Sequence, residues 1–432
     1  MRLRDSRTGE LHELRPGPDG TIGMYACGPT VYGRIHVGNA RPFVVFGLMK
    51  RYLEWRGQRV TLVENITDIN DKIYVAAARA GVPSDELARQ MTEAYVADTE
   101  RLGLGRPDRE PLASETLPEI IALIEELIAG DHAYEAQGDV YFAVRSFPAY
   151  GELSGQRPDE LRSGARVEPG EHKRDPVDFA LWKATKPDED VAWPSPWGDG
   201  RPGWHIECSA MAEKLLGREF EVHGGGRDLI FPHHENEVAQ SCAAGRPFAR
   251  VWAHNGMLRL SGAKMSKSDG NIDLLADALD RWGAETFIMF LLQAHYASPV
   301  DYDDAALERA RAACGTLRNR LRTGSGEDAG LRVAVWDALD DDFGTPEALA
   351  LLFRAAPGAR DTVAEVLGVL GLGALAETHP PPAGIVALAR ERQAARDARD
   401  FTESDRLRDE IGARGWEVRD GAGGFELHPR DE

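Results

Sequence analysis

Thr21-Ile22-Gly23-Met24-Tyr25-Ala26, running into Cys27-Gly28-Pro29-Thr30 and then His36-Val37-Gly38-Asn39, is the stretch that decides the fold. The first six residues read as a buried strand. Residues 41–56 carry helical apolar spacing that stops at Gly57, and Arg59-Val60-Thr61-Leu62-Val63-Glu64-Asn65-Ile66 reads as a second strand. Strand, helix and strand with short links predict a βαβ unit with a right-handed parallel crossover. Ligands bind beyond the carboxyl ends of such strands. Residues 27–39 and Thr67-Asp68 stand at those ends and should face one crevice.

His36 and Asn39 fall at a predicted helix start, where free N–H groups and the helix dipole favour anions. Gly38 would let a nucleotide approach the backbone closely. Simple capping of the helix by the same polar residues is the competing reading. Far downstream, Lys264-Met265-Ser266-Lys267-Ser268 lies between Gly262 and Gly270. Lysines on a mobile loop can close over a triphosphate and offset charge growing on the α-phosphate and the departing pyrophosphate. Alone, that pentapeptide is compatible with a solvated basic loop. The two segments together, in this order, read as halves of one nucleotide site.

At 432 residues the chain has room for two or three domains and an ample core. Its formal net charge of −20 argues against a duplex-coating protein, although a local positive face would suffice for a large enzyme. Arg309, Arg311, Arg318, Arg320 and Arg322 form one basic run, which reads equally as a solvated helix face. Four scattered cysteines, Cys27, Cys208, Cys242 and Cys314, do not make a disulfide framework. The first residues lack the apolar core of a signal peptide, and Phe287-Ile288-Met289-Phe290-Leu291-Leu292 is too short to span a bilayer. A reduced, cytoplasmic enzyme without a membrane partner is expected.

Thr116 to Gly130 reads as a helix with a Thr116/Glu119 capping box. From about residue 139 to 202 the texture changes to short strands, prolines and tryptophans, as in an insertion. Glu219-Phe220-Glu221-Val222-His223 resumes the sheet, with a turn expected at Gly224-Gly225-Gly226 and a helix from about Phe231. Helices are expected to about residue 376, then a stiff His379-Pro380-Pro381-Pro382 linker. Thr402-Glu403-Ser404-Asp405 should cap a terminal helix, with a hairpin from Trp416-Glu417-Val418 and Phe425-Glu426-Leu427.

In Phe231-Pro232-His233-His234-Glu235-Asn236-Glu237, His233 and Glu237 are four apart and would share a helix face suited to one metal. His234 has Val238 at that offset, which makes it the weaker candidate. Cys27 and Cys208 could complete a Cys₂-His-Glu set around zinc, and two buried structural thiols remain an open alternative. Zinc prefers a thiolate to a hydroxyl, so such a site would separate cysteine from serine. Cys242 and Cys314 read as ordinary buried thiols.

Cys27-Gly28-Pro29-Thr30-Val31-Tyr32, His36 through Pro42, Asn65-Ile66-Thr67-Asp68, Gly203-Trp204-His205-Ile206-Glu207-Cys208-Ser209, His223 through Glu237 and the Lys264 segment resemble cysteinyl-tRNA synthetases, and fall in that family's order. The resemblance implies an α/β, Rossmann-type class I synthetase. Such an enzyme activates L-cysteine with ATP, with magnesium, and transfers it to the tRNA for cysteine; a monomer is expected. It implies that Cys27, Cys208, His233 and Glu237 hold one zinc per chain, and that Gly28, Thr67, Trp204 and Asp228 form the amino-acid pocket. It makes His36, Gly38, Asn39 and Lys267 the ATP contacts, and His36, Asn39, Lys264 and Lys267 the catalytic residues. Asn39 stands where the general class I motif has a histidine, and an amide still donates a hydrogen bond.

The implied domains are a Rossmann catalytic domain at 1–255 with an insertion at about 120–202, and signature-loop and stem-contact helices at 256–330. A helical domain at 331–378, shorter than the family leads one to expect, and an anticodon-binding region at 383–432 follow. Two rival readings exist. A mycothiol-pathway ligase, joining cysteine to an amino-sugar, would have little reason to keep residues 392–428. An inactive nucleotide- or RNA-binding derivative predicts a broken loop motif or a lost metal ligand, and neither is seen.

Overall fold

The structure, a computed structural model, describes residues 1–160, 172–187, 189–260, 263–264, 273–322, 324–377, 381–421 and 424–429. A short antiparallel ribbon, β1 (Arg2–Arg4) with β2 (Leu11–Glu13), precedes the predicted unit. That unit is β3 (Thr21–Ala26), α1 (Val37–Trp55) and β4 (Arg59–Glu64), with β3 and β4 parallel. Every residue of β3 after Thr21 is buried, as its run predicts. α1 starts at Val37 rather than Arg41 because His36 and Asn39 form a reciprocal cap ahead of the apolar face.

Helices α2 (Asp71–Ala80) and α3 (Ser84–Glu100) follow, then α4 (Leu117–Ala129). The expected Thr116/Glu119 capping box does not form: the Thr116 hydroxyl donates to Leu112 O at 3.1 Å, because a tight turn at Ala113–Glu115 folds that carbonyl beneath it. The insertion is a four-stranded antiparallel sheet of β5 (Ala133–Ala136), β6 (Asp139–Phe142), β7 (Phe179–Ala184) and β8 (Gly200–Pro202).

α5 (Trp204–Leu216), β9 (Glu219–Gly226), α6 (Glu235–Ala243) and β10 (Phe248–Asn255) return to the core. The central sheet has the order β10-β9-β3-β4, with every pair parallel. The expected turn at residues 224–226 is instead the end of β9. Its glycines admit neighbours: a Cβ on Gly224 would lie 2.1 Å from the ring of buried Phe46, on α1. Gly224→Ala should destabilise the fold by about 1–3 kcal/mol through overpacking. Urea unfolding measures this, and Phe46→Leu in the same chain should recover part of the loss. The helix expected from Phe231 is also displaced: Phe231 is extended (φ −136°, ψ 131°), and α6 proper begins at Glu235.

β11 (Leu258–Leu260), β12 (Ala263–Lys264) and, beyond α7 (Leu275–Leu292), β13 (Val300–Tyr302) form a second small sheet in the order β12-β11-β13. α8 (Asp304–Leu321), α9 (Ala329–Asp340), α10 (Thr345–Arg354) and α11 (Arg360–Val369) complete the helical region. The basic run of α8 is partly structural: Arg320 donates to Leu352 O at 3.1 Å and also to Phe353 O, while Arg311 pairs with Glu308 at 2.7 Å. The far end of α1 docks on this region. Tyr52 OH donates to Asp340 at 2.7 Å, Trp55 Nε1 to Glu365 at 2.9 Å, and Arg51 to Gly368 O at 2.6 Å.

The terminal unit comprises α12 (Ala383–Asp397), α13 (Phe401–Ala413) and the predicted hairpin β14 (Trp416–Gly421) with β15 (Gly424–Pro429), around Ile385, Ala389, Ile411 and Val418. Asp400, not the residues from Thr402 onward, caps α13 by accepting from the Glu403 N–H at 3.1 Å. Of the proline linker, His379 and Pro380 lie outside the described residues. Cys314 is buried as expected, whereas Cys242 is only half-buried. Among the described residues no helix is long and apolar enough to cross a membrane.

Candidate active site

Cys27 extends β3, Cys208 lies on α5, His233 sits just before α6 and Glu237 within it. Their donor atoms converge, all within 4.8 Å of one another and all buried. Cys27 Sγ lies 3.8 Å from Cys208 Sγ, 3.5 Å from His233 Nε2 and 3.6 Å from Glu237 Oε1, and His233 Nε2 lies 3.1 Å from Glu237 Oε1. A tetrahedral zinc with ordinary bond lengths requires separations of about 3.8 Å for sulfur–sulfur and about 3.5–3.6 Å for sulfur to nitrogen or oxygen. The three separations from Cys27 match those values, while His233 Nε2 and Glu237 Oε1, at 3.1 Å, stand slightly closer than the about 3.4 Å between two such ligands, so the donor set fits that ion after a small adjustment of this pair.

A second overlapping set, Cys27, His223, His234 and Glu237, also converges. His223 Nε2 and Glu237 Oε2 are 2.8 Å apart, a hydrogen-bond length shorter than the about 3.4 Å between two ligands on one such ion. His234 Nδ1 is paired with His254 Nε2 at 2.7 Å. These histidines therefore read as support. His223 holds the second oxygen of Glu237, and His205 Nδ1 meets His233 Nδ1 at 2.9 Å, leaving the Nε2 atom of His233 aimed at the cluster. Helical spacing alone set His234 aside, yet its Nε2 reaches Cys27 Sγ at 3.3 Å. Burial pushes the Cys27 thiol and the Glu237 carboxyl well up and the His233 imidazole well down.

Asn65, at the end of β4, ties the crevice together. Its Oδ1 accepts the Gly28 N–H at 3.1 Å and lies 3.7 Å from Cys208 Sγ, while its Nδ2 donates to Thr67 Oγ1 at 3.1 Å. Thr67 N–H donates to Pro29 O and Val31 N–H to Thr67 O, both at 3.1 Å, which brings the two strand ends face to face as predicted. Trp204 stacks on His233 with ring centroids 4.1 Å apart. It also borders a cavity of about 290 Å³ shared with Thr30, Asn70, Tyr150, Lys183 and Asn236. Asp228 is exposed just beyond β9. Glu235 fastens the insertion to the cluster, its carboxylate accepting from the Gly151 and Ser154 N–H groups at 2.7 Å each.

The helix start differs from expectation in one respect. Val37 N–H donates to Asp273 O at 3.0 Å and Gly38 N–H to His36 Nδ1 at 3.1 Å, so the first N–H groups are occupied. His36 and Asn39 cap the helix, the competing reading raised for them, and still flank the crevice. Lys264 has its backbone in β12; its side chain and the whole of Lys267 lie outside the described residues.

Sequence reasoning gave no role to Glu207, whose carboxyl group is fully buried and pushed well up by that burial, or to Glu64. Glu64 accepts from Tyr95 OH at 2.7 Å, and burial raises its pKa from 4.5 to about 7. The folded state thus favours protonated Glu64. That contribution is full below pH 4.5 and fades as pH rises towards 7, by about 3 kcal/mol in all. Glu64→Gln should remove this share of the pH slope, so urea unfolding at pH 5 and pH 8 should show the variant gaining on the parent at the higher pH.

The family model for the catalytic domain of class I (C) tRNA synthetases matches residues 13–312. A DALR-domain model matches residues 334–364, and the anticodon-binding domain of cysteinyl-tRNA ligase matches residues 379–426. A cysteine–tRNA ligase of Halorhodospira halophila is 49% identical, with 97% of each chain covered. One of Rubrobacter xylanophilus is 44% identical over 100% of both. Among solved structures, the fold resembles Mycobacterium tuberculosis methionyl-tRNA synthetase in complex with methionyl-adenylate, at a TM-score of 0.60 and 17% identity, covering 83% of this chain and 86% of that one. It also resembles the LeuRS of Agrobacterium radiobacter K84, at a TM-score of 0.60 and 12% identity, covering 85% and 86%. With 44% and 49% identity to these two ligases along almost its whole length, the chain belongs to the cysteine–tRNA ligase family of class I aminoacyl-tRNA synthetases.

Proposed function

We propose that the chain activates L-cysteine with ATP and transfers the cysteinyl group to the 3′ end of its cognate tRNA. The amino-acid carboxylate attacks the ATP α-phosphate, giving cysteinyl-adenylate and pyrophosphate. A terminal ribose hydroxyl of the tRNA then attacks the acyl carbon and releases AMP. The observation that carries the reading is the convergence of Cys27, Cys208, His233 and Glu237, with the separations from Cys27 those one tetrahedral ion requires, beside the carboxyl edge of a parallel sheet.

In this reading those four residues hold one zinc per chain. When bound, zinc supplies a soft cation that prefers a thiolate to a hydroxyl and so favours cysteine over serine. His205 and Trp204 hold the His233 ring, and His223 holds Glu237. Gly28 and Thr67 line the amino-acid pocket, Trp204 supplies an apolar wall, and the exposed Asp228 meets the substrate ammonium. His36 and Asn39 donate to phosphate oxygens, Gly38 gives the nucleotide room, and Lys264 and Lys267 offset the growing charge. ATP enters as its magnesium complex.

The division into a catalytic domain at 1–255 with its insertion, contact helices at 256–330, a short helical domain at 331–378 and an anticodon-reading unit at 383–432 belongs to the same proposal, as do a monomeric state and a cytoplasmic setting. The last keeps the adjacent Cys27 and Cys208 thiols reduced. An amino-sugar ligase is not favoured, because residues 379–426 match an anticodon-binding domain. Charging of tRNA with labelled cysteine tests the proposal, with serine and an amino-sugar acceptor alongside. Cysteinyl-tRNA formed with cysteine but not serine supports it; adenylate formation with transfer only to the sugar refutes it.

A further inference from the structure

Arg41 is completely buried, and its guanidinium is surrounded by carbonyls. Nη1 donates to Gly256 O at 2.6 Å and Met257 O at 3.4 Å, and Nη2 to Ser298 O at 2.8 Å and His295 O at 3.4 Å. Among the described residues no carboxylate comes within ion-pair range of it, and burial alone lowers its pKa, to about 10. Burying a cation without a counter-charge is costly, and stability alone gives no reason to retain one. A planar fork with donors in fixed directions can, however, hold two chain segments at a set spacing, more rigidly than an ammonium can.

The two segments held are those that enter β11 and β13. Gly256 and Met257 immediately precede β11, while His295 and Ser298 lead into β13, its parallel neighbour. The approach is tight, since a Cβ on Gly256 would lie 2.1 Å from Ser298 O. β11 turns back as β12, which carries Lys264. Beyond the lysine segment, the chain returns to the same end of α1: Val37 N–H donates to Asp273 O at 3.0 Å and Leu275 N–H to Ile35 O at 3.1 Å. Both flanks of residues 265–272 are therefore fastened to the His36 end of α1, one through backbone bonds and the other through Arg41.

We propose that Arg41 is a positioning residue for the ATP-dependent step: it sets the register between residues 36–39 and the strand pair, β11 with β13, whose continuation β12 carries the Lys264 backbone. This rests on the reaction proposed above. The test is cysteine-dependent ATP–pyrophosphate exchange by Arg41→Met and Arg41→Lys, with zinc content, thermal midpoint and the KM for cysteine measured on the same preparations. Misplacing reacting groups by about 1 Å lowers turnover about 100-fold. A fall of that order is expected in kcat for Arg41→Met, with partial rescue by Arg41→Lys, while zinc content and the KM for cysteine stay within about twofold of the parent. Parent-like kcat in both variants overturns the proposal. So does a joint collapse of zinc, cysteine KM and thermal midpoint in Arg41→Lys, which marks a general scaffold residue. Absence of exchange by the parent enzyme refutes the underlying reaction, and exchange by the parent confines any failure to Arg41.

Discussion

Cys208→Ser protein is expected to purify with most of its zinc lost and to need far more cysteine for activity. The Cys208 side chain is fully buried, 3.8 Å from Cys27 Sγ and 3.7 Å from Asn65 Oδ1, with the His233 and Glu237 donor atoms within 4.8 Å. Serine keeps the size but offers a hydroxyl, a poor ligand for a soft ion. A metal acting as Lewis acid at a reacting or selecting centre is worth several kcal/mol, which converts to about 10³-fold in kcat/KM for cysteine. Metal analysis and steady-state exchange kinetics read the two effects together. Cys314→Ser is the control, because that thiol is also buried but lies against Glu285 O, far from the cluster in the chain. Full zinc occupancy with unchanged cysteine kinetics in Cys208→Ser would sink the metal assignment.

Gly28→Ala should be nearly as damaging without touching a ligand. A Cβ there would lie 1.8 Å from Asn65 O, a backbone atom that cannot swing aside as a side-chain tip can. The link between the ends of β3 and β4 must open by about 1.5 Å to reach contact distance, and shifts of even about 1 Å cost about 100-fold in rate when they displace reacting groups. The same movement disturbs the Gly28 N–H bond to Asn65 Oδ1, whose oxygen faces Cys208. The variant should fold, with circular dichroism close to the parent's, and lose cysteine-dependent exchange about 100-fold or more. Parent-like exchange would show that the crevice is not shaped by this approach.

The parallel unit of β3, α1 and β4, the helix α4 and the terminal hairpin were all legible in the sequence, because each is governed by local periodicity. What escaped was set by contacts across the chain. The glycines of β9 looked like a turn because no local signal records the Phe46 ring against Gly224. The threonine before α4 looked like a capping residue, but the preceding turn offered its hydroxyl a nearer carbonyl. His234 failed a count along the helix axis, whereas its partners, Cys27 and His254, lie on other elements. The convergence of the four donors was legible in part, because the four-residue spacing of His233 and Glu237 survives the displaced helix start and Cys27 ends a strand. Its second layer, His205, His223 and Asn65, was not, since supporting residues carry no spacing of their own.

Helix α1 has its crevice motif at one end and its bonds to Asp340, Glu365 and Gly368 at the other. Across its 19 residues, each residue adds about 1.5 Å of rise and about 100° of rotation. A one-residue insertion or deletion within it would turn His36 and Asn39 away from the crevice, or Tyr52 and Trp55 away from their partners, with no half measure between. Variation in chain length should therefore collect in connections such as residues 324–328 and be shut out of α1, which acts as a gauge of fixed length between the nucleotide crevice and the helices that follow it.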